Sequence, residues 1–267
     1  MRPLGIAHLS ALSLTPPELI HEASALGLDF VGIRLQQVTP DSEGYPLMRQ
    51  PTMLRHTLNA LRTTGIKIED VEFIKLTPDF SAHSWEPLLD IASALGARSV
   101  ITAPYDPDLN RLRNNLSEFI ELSSQRHLRV MLEFFPWTVI PSLESAWDLV
   151  EPISGAAILI DSLHFDRSNS SLATLKRIPK ERLPVIQLAD APRHAPYSEL
   201  ELLETARATR LPLGDGSIPL RQLLSQLPQS TPISLEIPRI TRSREIGVHA
   251  TLRETVARSR AYLGAMM

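Results

Sequence analysis

At 267 residues, 43% hydrophobic and 21% charged, the chain suits one large α/β domain or two small ones, with core enough to need no cross-links. A net charge of −3 without a basic run leaves no electrostatic footprint for nucleic acid, and the absence of cysteine excludes disulfides, thiolate metal sites and cysteine nucleophiles. The opening Met1-Arg2-Pro3-Leu4 lacks the apolar stretch of a signal peptide, and no apolar run reaches the ~18 residues of a membrane span; the expectation is a cytoplasmic protein without a membrane partner.

Taken in order, Leu4–Ser10 reads as a first strand. Thr15-Pro16-Pro17-Glu18 then has the form of a helix start, with Thr15 as N-cap, proline at the first positions and Glu18 closing a capping box. The helix Glu18–Leu26 stops at Gly27. Phe30–Leu35 is a second strand, followed by a long loop, Gln36–Gln50, and a helix over Pro51–Thr63. The alternation continues with strands at Ile66–Leu76, Ser99–Ala103, Leu128–Glu133, Ala156–Asp161, Leu183–Leu188 and Ile233–Glu236. Between and after them come helices at Glu86–Leu95, Asn110–Gln125, Leu143–Val150, Leu172–Arg177, Ser198–Ala208, Ile218–Leu227 and Thr251–Leu263. Eight strand–helix units of roughly 33 residues, without a composition break, predict a single (β/α)8 barrel over residues 1–267. An open doubly wound sheet is the rival, but no glycine-rich phosphate loop follows the first strand.

Four of these strands end in a polar side chain: Glu133, Asp161, Gln187 and Glu236, spaced 28, 26 and 49 residues apart. In a barrel, strand carboxyl ends share one rim, so the four should converge there. Three carboxylates meeting without compensation would repel one another, and a divalent cation resolves that. Carboxylate and amide oxygens are hard ligands, which favours Mn2+ or Mg2+, with Zn2+ or Co2+ as alternatives. The blander reading has each residue paired with an arginine or capping the next helix. His164, three residues after Asp161, is expected to hold a substrate hydroxyl or carbonyl. Arg193, after the seventh strand, suits an anionic or polyhydroxyl substrate, although a surface arginine would look the same. His8 and Arg34, at the ends of strands one and two, are candidates for the far side of the pocket; Lys75 is a weaker one. Phe135 and Trp137 are candidate pocket walls. Glu69, Asp70 and Glu72 lie early in strand three, where a solvated or salt-bridged role is expected.

The order Leu132-Glu133-Phe134, Asp161-x-x-His164, Val185-Ile186-Gln187-Leu188-Ala189-Asp190 and Ser234-Leu235-Glu236-Ile237 resembles the xylose isomerase-like barrel superfamily. Within it the likeness is to the sugar phosphate isomerase/epimerase group, which includes hydroxypyruvate isomerase-, tagatose 3-epimerase- and inosose isomerase-like enzymes. Arg210-Leu211-Pro212-Leu213-Gly214-Asp215-Gly216 resembles that group's loop before the last strand, with Leu213 inserted between proline and glycine. The resemblance implies that Glu133, Asp161, Gln187 and Glu236 bind the metal. It further implies that Glu133 and Glu236 exchange a proton at the carbon beside a carbonyl, while His164 and Arg193 hold substrate oxygens. Many epimerases have histidine where Gln187 stands; hydroxypyruvate isomerase-like members carry glutamine. The superfamily's AP endonucleases need a histidine-rich multi-zinc site, and 8 histidines, few at strand ends, disfavour DNA repair.

The expected function is therefore a metal-dependent isomerase or epimerase of a small sugar or keto-polyol. The alternatives are a metal-dependent dehydratase of an inosose- or dehydroshikimate-like substrate and a non-catalytic ligand-binding barrel. The resemblance also implies a homodimer or homotetramer.

Overall fold

The computed structural model describes residues 2–39 and 42–266; Pro40 and Asp41, within the long loop read between Gln36 and Gln50, lie outside them. The sheet is a closed barrel of eight parallel strands in sequence order: β1 Leu4–Ile6, β2 Phe30–Arg34, β3 Lys67–Leu76, β4 Ser99–Pro104, β5 Arg129–Glu133, β6 Ala157–Asp161, β7 Ile186–Leu188 and β8 Ile233–Leu235. β1 closes the ring against β8, with Leu4, Gly5 and Ile6 opposite Ile233, Ser234 and Leu235. Helices cover the outside, as the alternation predicts. Their starts follow local chemistry: Thr15 and Glu18 form the expected capping box, with the Thr15 N–H donating to Glu18 Oε2 at 2.8 Å. No helix among the described residues is long and apolar enough to cross a membrane.

Side chains alternate across a strand, so every second residue points into the barrel. Phe30, Ile101, Met131, Ala157, Leu159 and Val185 fill the lower interior as one packed cluster, with Phe73 against it. Two residues further along the same inward columns, Met131 gives way to Glu133, Leu159 to Asp161 and Val185 to Gln187. A dry apolar plug thus carries a polar layer, and the polar side chains have no direction to take except toward the mouth.

Several elements differ from the sequence reading. β1 stops at Ile6, because the chain turns into a short helix at His8–Ala11 whose Ser10 hydroxyl donates to the Leu235 carbonyl and accepts from the Ile237 N–H. β7 begins at Ile186 rather than Leu183; Pro184 has no N–H to give to a ladder. Two short helices were not legible: Ser162–Arg167, which follows Asp161 directly, and Ile240–Ile246, after β8. The last helix starts at Val248, three residues earlier than expected, and the helix read over Ile218–Leu227 spans Leu220–Ser225.

Candidate active site

The four polar strand ends meet. Asp161 lies opposite Gln187 in the β6–β7 register, and the Gln187 amide donates to Glu236 Oε1 at 3.1 Å. At their centre stands Arg210. Its side chain is 1% exposed, and its guanidinium donates to Asp161 Oδ2 at 2.5 Å and to Glu236 Oε2 at 2.8 Å, while Nε donates to the Ala206 carbonyl at 2.9 Å. Burial raises the Glu133 carboxyl well above the usual range, helped by the Glu236 and Asp161 charges. Burial likewise raises Glu236 well above it, although Arg210 pulls the other way. For Asp161 burial is outweighed by the charge and hydrogen bond of Arg210, with the Leu163 N–H, and its carboxyl is lowered. The three carboxyl groups are therefore not equivalent. Asp161 favours its charge beside the guanidinium, whereas Glu133 and Glu236 favour holding a proton.

Asp161 also explains the helix that follows it. Its Oδ1 accepts from the backbone N–H groups of Leu163 at 2.7 Å and His164 at 3.3 Å, capping Ser162–Arg167. That short helix directs His164 back over the site, with Nε2 3.7 Å from Glu133 Oε1. Phe135 and Trp137 hold the imidazole edge-to-face at 4.8 and 5.2 Å. Burial brings the His164 pKa down to about 4, so the ring is neutral at pH 7.

Arg210 reaches the floor because the loop behind it is fixed by Asp190. That carboxylate accepts from the N–H groups of Ala191, Gly214 and Ile218 at 2.9, 3.0 and 2.9 Å, and the Asp190 and Leu211 backbones form a bridge. Gly216 passes so close that a Cβ there would sit 2.4 Å from Asp190 Oδ1.

Above the floor opens a cavity of about 570 Å³, lined by Arg34, Glu72, Glu133, His164, Arg210 and Glu236 among others. Phe73, Tyr105, Phe135 and Trp137 form an aromatic wall, while Asp161 and Gln187 lie just beneath the lining. Arg34 stands in the cavity as expected, 3.3 Å from Glu72. Glu72 itself lines the cavity, a position the sequence reading gave it no part in. Two expected contacts lie elsewhere. His8 is fully buried, accepting from the Arg34 N–H at 2.9 Å through Nδ1, donating to the Leu14 carbonyl at 2.8 Å and stacking on Tyr45. It is a structural peg, because β1 ends two residues before it. Arg193 does not line this cavity; its loop carries it outward, where the half-exposed guanidinium pairs with Asp166 at 2.8 Å. Glu69 pairs with Arg98, as expected of it, whereas Asp70 is buried with neither oxygen hydrogen-bonded, and burial raises its carboxyl well above the usual range.

The residues fit a divalent cation. Glu133, Asp161 and His164 each offer a ligand atom, all within 4.8 Å of one another. Gln187 Oε1 and His164 Nδ1 are buried without a hydrogen-bond partner, so the centre has donors to spare. Arg210 already engages Asp161 and Glu236, and a cation drawing on those two must share them with the guanidinium.

An eight-stranded parallel barrel with a buried cluster of Glu133, Asp161 and His164 at the carboxyl ends of its strands defines the class. Residues 20–262 match the model of the xylose isomerase-like TIM barrel, and the chain belongs to that family. No curated protein matches the sequence. Among solved structures, the IOLI protein with a binding zinc atom superposes with a TM-score of 0.80 at 18% identity, over 100% of this chain and 98% of that one. The D-allulose 3-epimerase from Methylomonas sp., in complex with D-allulose, gives 0.73 at 12% identity, over 100% and 97%. The probable 3-DHS dehydratase AsbF from Bacillus anthracis gives 0.76 at 15% identity, over 95% and 98%.

Proposed function

We propose that the protein is a divalent-metal-dependent isomerase or epimerase of a small sugar or keto-polyol, with Glu133 and Glu236 as its acid–base pair. The observation that carries this reading is the pair itself. Two buried carboxyl groups line the floor of one cavity, and the nearby Asp161 is bound by Arg210. Carboxyl groups so placed can take a proton from a bound substrate and return it. A divalent cation at Glu133, Asp161, Gln187 and Glu236 would supply electrophilic stabilisation of the negative charge that develops on substrate oxygen.

One of the two glutamates removes the proton from the carbon beside the carbonyl, giving an enediolate, and the same or the other one returns it. Return to the neighbouring carbon is isomerisation; return to the opposite face of the same carbon is epimerisation. His164, neutral and held by Phe135 and Trp137, positions a substrate oxygen, and Arg210 offers its positive charge to the enediolate. The aromatic wall offers an apolar face to the carbon chain of the substrate.

The test is solvent exchange. Wild-type protein with Mn2+ and a panel of ketoses in deuterium oxide should incorporate deuterium beside the carbonyl, followed by proton NMR. Glu133→Gln should slow this by about 10²–10⁴-fold, the usual contribution of a positioned acid–base group. Loss of a β-hydroxyl from the same enediolate is the dehydratase reading, and an enone absorbance in the ultraviolet would favour it. Unchanged exchange in both Glu133→Gln and Glu236→Gln would refute the assignment.

A further inference from the structure

The rim of the cavity is charged unevenly. Three of the arginines that line it are matched by carboxylates: Arg34 by Glu72 at 3.3 Å, Arg210 by Asp161 and Glu236, and Arg239 by Glu254 at 2.9 Å. Lys75, Arg207 and Arg244 line it too, and among the described residues none of these three has a carboxylate within the 4.0 Å of an ion pair. They come from three separate elements: the tip of β3, the end of the helix Glu199–Ala208 and the helix Ile240–Ile246. Lys75 is held in place, donating to the Val38 carbonyl at 2.8 Å with its ammonium 5.1 Å from the Tyr105 ring centroid, but neither contact cancels its charge. Burial, and then the charge of Arg207, lower the Lys75 pKa, so these two cations act on each other across the opening. Glu43 also lines the cavity, and it makes no ion pair with Lys75, Arg207 or Arg244. In a chain of net charge −3, these uncompensated cations at one mouth are not the overflow of a basic protein.

We propose that the substrate ends in an oxyanion, a carboxylate or a phosphate, held at the mouth by Lys75, Arg207 and Arg244. This rests on the reading of the cavity as a substrate site and adds the substrate's class and its direction. The floor's cations, Arg34 and Arg210, are already paired with carboxyl groups, whereas the three at the rim are not, so an anionic end is drawn to the rim. An anionic sugar or polyol therefore enters with its carbonyl end toward Glu133 and Glu236 and its charged end outward. The carbon chain between them runs beside the aromatic wall. Lysine and arginine N–H groups recognise carboxylate and phosphate through the same charge-assisted hydrogen bonds, so the two chemistries share the site.

Three four-carbon probes separate the cases by isothermal titration calorimetry on the intact protein: erythritol, erythronate and erythritol 4-phosphate. At low salt, at least one anionic probe should bind about tenfold or more tighter than erythritol, the scale of one or two charge-assisted contacts, and added salt should erode the difference. Whichever anion leads identifies the group. In Lys75→Gln/Arg207→Gln the advantage should vanish while erythritol affinity stays the same, which shows that the cavity is still formed. The proposal is overturned if erythritol matches both anions, if no probe binds, or if the advantage survives the double variant. Failure here leaves the deuterium exchange by Glu133 and Glu236 untouched. Conversely, a rim-dependent anion preference in a protein that exchanges no deuterium would sink the acid–base reading and keep this one.

Discussion

Arg210 brings one positive charge into a floor that also holds Glu133, Asp161 and Glu236, and removing it leaves Asp161 and Glu236 buried without their counter-charge. Breaking a buried pair from one side costs about 3–5 kcal/mol, so Arg210→Gln should be destabilised by that order in chemical denaturation. If a divalent cation shares those carboxylates, Mn2+ should raise the Tm of Arg210→Gln more than that of wild type. Equal shifts would mean that guanidinium and cation do not meet. His8 gives a second prediction, of pH. Its pKa falls from 6.5 to about 4 in the folded state through burial, outweighing the Leu14 hydrogen bond. A depressed imidazole contributes stability that is whole above pH 6.5 and lost as pH falls toward 4. His8 should account for on the order of 2 kcal/mol of the loss between pH 7 and pH 5, and urea denaturation of His8→Gln should show a correspondingly flatter profile. The acidic strand ends were legible in the sequence because a carboxylate after an apolar run must find a polar neighbour. Arg210 appeared there only as part of a loop motif, since its role depends on where that loop returns. His8 and Arg193 were misplaced because closeness to a strand end in sequence does not fix the direction of a side chain.

The loop from Asp190 to Ile218 is the element that makes Arg210 a floor residue. Asp190 satisfies three backbone N–H groups in it, each costing about 1–3 kcal/mol if left buried and unpaired. Asp190→Ala should lower stability by about 3 kcal/mol or more and should also weaken ligand binding in the cavity, because the guanidinium loses its anchor. A variant with wild-type stability and affinity would show that the loop is held by other contacts. At this scale strand and helix identities were legible through period and caps. The helix Ser162–Arg167 was not, because it is only one and a half turns long and is started by Asp161 itself. β1 was read too long, where Ser10 draws the chain across to β8, and no local signal announces such a contact.

Across the whole molecule, the barrel places a dry plug of Phe30, Ile101, Met131 and Leu159 beneath a wet, acidic layer. That division follows from a two-residue period on strands of fixed register, which is why the fold and the rim were readable from one sequence. The shape of the cavity was not, because its mouth is built by helices and loops whose lengths carry no period. The most direct check on the account is the metal stoichiometry of the purified protein, measured by elemental analysis and by calorimetric titration with Mn2+ and Zn2+. The account predicts one divalent ion per chain in the wild type and none in an Asp161→Ala/Glu236→Ala variant. A wild-type protein that binds neither ion, and whose Tm neither ion moves, would contradict it.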